Sequence, residues 1–210
     1  MLKHKYQEEY ENSICFWGTR PAKFVELFVN KYAADLTGKK ILDIGAGEGK
    51  NSVFLASRGA QIVSVDISEI ALQRFNQQPG YDECKEKLLC INTDLKSINF
   101  LSNSFDAVVA YGVLHCLENK EEINEIVSRI KNWVKKGGYC IISTFTNNIP
   151  IPAIQEYLKT ESLLEENEIE KMFSTWNILA CENDIITETH PTSLVEHSHS
   201  LVRLIAKKYE

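Results

Sequence analysis

A chain of 210 residues is most economically one domain with a continuous core. Its net charge of -6 argues against a broad electrostatic grip on nucleic-acid phosphates or anionic membranes, and 44% hydrophobic with 25% charged residues is an ordinary globular composition. The polar stretch from Met1 to Tyr10 does not read as a signal peptide, no apolar run reaches membrane-span length, and the scattered cysteines contain no C-x-x-C pair; a cytoplasmic protein with reduced thiols is expected.

In chain order, residues 3–11 are charged with Tyr6 and Tyr10 interspersed, and predict a short helix packed over the domain. Phe24, Leu27, Phe28 and Tyr32 then recur on one face of a helix that Pro21 would open, with Thr19 or Arg20 at its cap. Trp17 and Arg20 lie just upstream of the first strand, where a lid over a ligand would originate; lid and plain packing stand as equal alternatives.

Ile41, Leu42 and Ile44 form an apolar run that reads as a strand covered on both faces. Gly45, Gly47 and Gly49 turn the chain, and from Lys50 the apolar residues fit the opening of a helix. Strand, glycine turn and helix together bring bare backbone close to a ligand at a helix N-terminus, which predicts a cofactor site. A dinucleotide fingerprint G-x-G-x-x-G would need its third glycine at position 50, which is Lys50. Asp43 instead stands two residues before the first glycine.

Residues 61–66 read as the second strand, closed by Asp66, which lies 21 positions beyond Gly45. An acid there accepts hydrogen bonds from the ribose hydroxyls of a nucleoside, while Ser68 serves to cap the next helix. Residues 88–94 predict a third strand ending in Asp94, and 105–111 a fourth that runs into Tyr111 and His115. Strand ends of open α/β sheets carry the chemistry, so both lie near the expected reaction centre. A helix over Ile123 to Trp133, a glycine stop at Gly137-Gly138 and a fifth strand at 139–145 follow.

Beyond Asn147 the pattern changes. An extended loop precedes an acidic helix over 161–172, and strands are predicted at 176–181 and 201–206. The interval between them holds His190, Glu196, His197 and His199. His197-Ser198-His199 alternates on a strand and offers no third metal ligand at standard spacing, so no metal is expected. The chain divides into an N-terminal helical cap (1–37), a cofactor-binding βαβ core (38–145) and a C-terminal acceptor-side region (146–210).

The D-x-G-x-G-x-G pattern of Asp43, Gly45, Gly47 and Gly49, with Asp66, Asp94 and the closing strand pair, resembles the class I S-adenosylmethionine-dependent methyltransferases. Thr19-Arg20, the Gly49-Lys50-Asn51-Ser52 turn, Trp176 and the closing 197–208 stretch are similar to the tellurite-resistance methyltransferase group within it. Ala46 departs from the Cys of many relatives at a position where backbone makes the contact. The resemblance implies a Rossmann-like, mostly parallel seven-stranded α/β sheet, order 3-2-1-4-5-7-6 with strand 7 antiparallel and helices on both faces. It also implies cofactor contacts at Trp17, Arg20, Asp43, Gly45, Ala46, Gly47, Asn51, Asp66, Ile67, Asp94, Leu95 and Tyr111, with Asp94 reaching the adenine amino group.

The expected activity is in-line methyl transfer from S-adenosylmethionine, leaving S-adenosylhomocysteine, to a small nucleophile such as a selenite or tellurite oxyanion or a thiol. His190, His197, His199 and Arg203 would orient the acceptor by charge and hydrogen bonds, or a histidine would act as base. A monomer or homodimer with no nucleic-acid or membrane partner is expected. The rivals are a methyltransferase acting on a protein, a non-catalytic S-adenosylmethionine-binding module, and an NAD-dependent oxidoreductase, against which Lys50 speaks.

Overall fold

The computed structural model describes residues 2–210. Seven strands form one sheet in the order β3-β2-β1-β4-β5-β7-β6. They are β1 (Lys40–Ile44), β2 (Gln61–Asp66), β3 (Leu88–Asn92), β4 (Phe105–Tyr111), β5 (Val134–Phe145), β6 (Asn177–His190) and β7 (Ser193–Lys207). The first five run parallel, and β7 is antiparallel to both β5 and β6. Fold class, strand order and the reversed last strand are those the sequence resemblance implied.

The parallel strands read as unbroken apolar runs because both faces are covered. Alternate residues serve opposite faces: Leu42, Ile44, Val108 and Ala110 join one core cluster, Ile41, Ala107 and Val109 the other. The first cluster is closed by α5 (Lys120–Trp133), which buries Ile123, Ile126, Val127, Ile130 and Trp133 at helical spacing. Asn119 caps α5 by accepting from the Glu122 amide at 2.9 Å. The second cluster takes α2 (Lys23–Leu27) with the π-turn that continues it (Phe28–Tyr32), and α3 (Lys50–Ser57). Ser68 caps α4 (Glu69–Gln73), as its position suggested.

Several boundaries differ from expectation, each for a local reason. The helix expected from Pro21 starts at Lys23, and neither Thr19 nor Arg20 caps it; its N-cap Ala22 is extended and its amide donates to Asn51 Oδ1 at 2.9 Å. The third strand stops at Asn92, leaving Asp94 in the following turn. The Gly137-Gly138 stop is an irregularity inside β5, since Phe105 pairs with Val134 and Ala107 with Tyr139. The helix expected over 161–172 is reduced to a 3-10 turn (Thr160–Ser162) and the five-residue α6 (Glu168–Met172). Leu164 bridges to Thr146 and accepts from the Asn147 amide at 3.0 Å, which draws that backbone into an extended path.

The largest difference is the β6–β7 hairpin. The expected short strands at 176–181 and 201–206 continue through the intervening polar stretch to a turn after His190. β5 stops pairing at Phe145 opposite Leu201, so the outer half of the hairpin pairs only with itself and carries half-exposed, alternating residues. Among the described residues no helix is long and apolar enough to cross a membrane. The first helix, α1 (Leu2–Asn12), lies above the C-terminal ends of the strands, with Tyr6 and Tyr10 facing a cavity there.

Candidate active site

A cavity of about 540 Å³ opens at the C-terminal edge of the parallel strands. Its floor is the glycine turn. The Gly45 and Ala46 amides both donate to Val65 O, at 2.8 and 3.1 Å, tying the turn to β2. Gly45, Gly47 and Gly49 all have positive φ, at 67°, 54° and 84°. A Cβ on Gly45 would meet Val113 Cβ at 2.5 Å, and one on Gly49 would meet the Phe75 ring at 2.7 Å. Protein side chains therefore occupy the close approach at those two positions, and a Cβ on Gly47 would likewise meet Tyr10 Oη at 3.0 Å, with Trp17 Cδ1 at 3.7 Å.

Asp66 ends β2 on this cavity. Its Oδ2 accepts from the Gly47 amide at 2.8 Å and its Oδ1 from the Ser68 amide at 2.8 Å. Burial pushes its pKa up, partly opposed by these backbone donors. Asp94, on the loop after β3, also lines the cavity and is held by the Lys96 amide at 2.8 Å. Ile67, Leu95 and Leu117 add apolar wall, and Asn51 and Tyr111 line it as well.

Asp43 does not line the cavity. It lies beneath the turn, 1% exposed, accepting from Ser52 Oγ at 2.6 Å, with Ser52 also 2.8 Å from Ser64 Oγ. Its sequence position next to the glycines thus serves to fasten α3 to β1. Burial pushes its carboxyl from 3.8 up to about 7, and the Asp66 charge adds to the rise. A carboxyl that holds its proton more tightly when folded contributes stability at low pH that is lost as pH climbs from about 4 to about 7, at about 1.4 kcal/mol per unit. Asp43→Asn should therefore flatten this part of the stability profile and raise the melting temperature above pH 7. A slope unchanged from the native chain would remove the buried-carboxyl assignment.

The roof comes from the N-terminal segment. Glu48, 3% exposed, accepts from the Cys15 amide at 2.9 Å and from the Phe16 amide, and lies 3.6 Å from Arg74. Lys50 Nζ donates to Trp17 O at 2.8 Å, and Trp17 Nε1 to Tyr10 Oη at 3.0 Å. Trp17 is on the cavity; Arg20 is exposed and does not line it. The cations that do are Lys50, Lys96 and Arg203.

On β7, Arg203 is 7% exposed and its Nη1 donates to Glu182 at 2.8 Å and Asp184 at 2.9 Å, while its Nε donates to Tyr111 Oη at 3.2 Å. Two carboxylates balance its charge, so it holds Tyr111 in place rather than standing free for an anion. His190 and His197 line a second cavity of about 450 Å³, which shares Tyr6 and Trp17 with the first. His190 stacks on Phe16 with centroids 4.9 Å apart. His199 stacks on Phe145 at 4.2 Å, and Phe145 in turn on His115 at 4.0 Å. Burial, reinforced by neighbouring imidazoles, drops His199 to about 4 and His115 to about 3. Both rings are neutral near pH 7, which removes the standing positive charge expected for His199.

Glu48, Lys50, Tyr10 and Val113 line the cavity but were not read from the sequence as site residues. An acid between two glycines of the turn was the available signal for Glu48; the others depend on long-range packing.

Residues 42–142 match the family described as a methyltransferase domain. A probable S-adenosyl-L-methionine-dependent methyltransferase, TehB, of Haemophilus influenzae is 31% identical over 158 residues, 73% of this chain and 51% of that protein. The crystal structure of TehB from Haemophilus influenzae superposes with a TM-score of 0.75 at 20% identity, over 99% of this chain and 67% of that one. Phospholethanolamine N-methyltransferase 2 of Haemonchus contortus, solved with phosphomonomethylethanolamine and S-adenosylhomocysteine, gives 0.72 at 17% identity, over 97% and 58%. These two likenesses are of fold. The chain spans about half the length of the curated relatives it matches.

Proposed function

Through its 42–142 core the chain belongs to the class I S-adenosylmethionine-dependent methyltransferases, and on that premise we propose that it methylates a small-molecule nucleophile. The carrying observation is that Asp66, at the end of β2, and Asp94, on the loop after neighbouring β3, open onto the same cavity as the Gly45–Gly47 backbone. This donor set fits the cofactor: Asp66 for the ribose hydroxyls, Asp94 with Ile67 and Leu95 for the adenine. Lys50, rather than Arg20, is the cation above the turn for the amino-acid carboxylate.

S-adenosylmethionine supplies a methyl group already activated on a sulfonium. The protein's task is alignment and exclusion of water, and well-oriented reactants gain ~7–11 kcal/mol of barrier from positioning. Tyr6 and Trp17 in the roof border both cavities, and Tyr10 the first alone. The second cavity, of about 450 Å³, is sized for a metabolite rather than a polymer. His190 and His197 line it and suit a soft nucleophile, a thiol or an oxyanion of the selenite or tellurite type, that they would orient by hydrogen bonds.

Calorimetric titration of S-adenosylmethionine, S-adenosylhomocysteine and NADH tests the cofactor half. Saturable binding of the first two alone is expected; binding of NADH alone overturns the reading. Tritium from labelled cofactor should then appear in small products, and its appearance in macromolecules would exclude a small acceptor.

A further inference from the structure

The outer half of the β6–β7 hairpin carries a cluster that the proposed cofactor contacts do not use. Glu188 pairs directly across the ladder with His197, and His199 follows two residues along β7, on the same face. One ligand atom from each of Glu188, His197 and His199 lies within 4.8 Å of the others. The sequence pattern of His197 and His199 lacked a third donor; the hairpin register supplies it from the facing strand.

Hydrogen bonding does not account for the arrangement. Glu188 Oε1 is 3.8 Å from His199 Nε2 and 3.6 Å from His190 Nε2, too long for a hydrogen bond. Two ligand atoms on one tetrahedral ion at 2.0–2.1 Å stand about 3.4 Å apart, so the 3.8 Å between Glu188 and His199 would close by about 0.4 Å on binding. His199 is 4% exposed and its Nε2 is buried with no hydrogen-bond partner, as is the Nε2 of His190. Leaving such an atom unpaired costs ~1–3 kcal/mol. His197 Nδ1 lies 2.9 Å from Val195 O, which fixes the proton on that nitrogen and leaves the Nε2 lone pair directed inward. Metal-bound histidines are oriented by this kind of backbone contact. The present neighbour of His197 Nε2 is Gln155 Nε2 at 3.3 Å, a long contact from a side chain whose own Oε1 is unpaired.

We propose that Glu188, His197 and His199 form a binding site for one divalent transition-metal ion of the zinc type. Two imidazoles and a carboxylate suit Zn²⁺, Co²⁺ or Ni²⁺ and leave a fourth position for water or a substrate atom. Glu188 lines the cofactor cavity and His197 the adjoining one, so an ion held here sits where the two meet.

The test uses the full chain, freed of metal with a chelator and titrated with Co²⁺ in the absence of cofactor and acceptor. Its outcome is therefore independent of the methyl-transfer reading. Visible d–d absorption should saturate at one Co²⁺ per chain, and excess Zn²⁺ should displace it. His199→Gln and Glu188→Gln should each weaken binding at least about 10-fold, and His115→Gln should leave it unchanged. In the unsubstituted chain, Zn²⁺ should shift the imidazole resonances of His197 and His199 without moving those of His115, which keeps the test decisive if a variant fails to fold. Absence of saturable Co²⁺ absorption, binding untouched by the two substitutions, or unmoved His197 and His199 resonances would overturn the site.

Discussion

Asp66→Asn is expected to weaken S-adenosylhomocysteine binding roughly 100-fold while the fold survives. The carboxylate already accepts from the Gly47 and Ser68 amides at 2.8 Å each, so its orientation toward the cavity is fixed before any ligand arrives. Hydrogen bonds to a charged group contribute ~1.5–3 kcal/mol, and loss of about 3 kcal/mol across two ribose hydroxyls is a factor of about 100. Asparagine keeps the shape but turns one acceptor into a donor, which must then face either the Gly47 or the Ser68 amide. Calorimetry of the variant, with its melting curve recorded alongside, decides the matter. An affinity within about threefold of the native chain would take Asp66 out of the site.

The second large effect concerns stability. Gly45→Ala should lower the melting temperature by roughly 5–15 °C. An L-residue at φ 67° costs ~1–2 kcal/mol. The new methyl group would start 2.5 Å from Val113 Cβ, an overpacking of ~1–3 kcal/mol. A chain of this size loses roughly 2–4 °C per kcal/mol. Adding Val113→Gly, which removes the Cβ that the new methyl group meets, should recover the packing part and leave the backbone part. A melting temperature indifferent to Gly45→Ala, or unimproved by the second change, would mean that Val113 does not close against the turn.

What the sequence revealed and what it hid divide along a physical line. Strands covered on both faces announce themselves as apolar runs, so β2 and β4 were legible to the residue and β1 by its apolar run. The glycines and Asp66 were legible because they mark backbone turns and strand ends. The outer hairpin was not, since a ladder exposed on one face reads as polar coil unless its partner is known. Leu164 was hidden for the same reason: its backbone follows Thr146, 18 positions away, rather than its own helical neighbours. Spacing placed Asp43 beside the turn but could not say that its side chain points beneath it, to Ser52. Arg20 was read as a cofactor contact from its neighbourhood; the cavity instead takes Lys50, one residue beyond the glycines.

The N-terminal strap, pinned where Glu48 grips two consecutive amides, has a corollary. Tyr6 and Trp17 border both cavities, so this segment is a wall common to the two compartments. Under the proposed methyl transfer, donor and acceptor sites would share one wall, so a change in this segment should be felt at both.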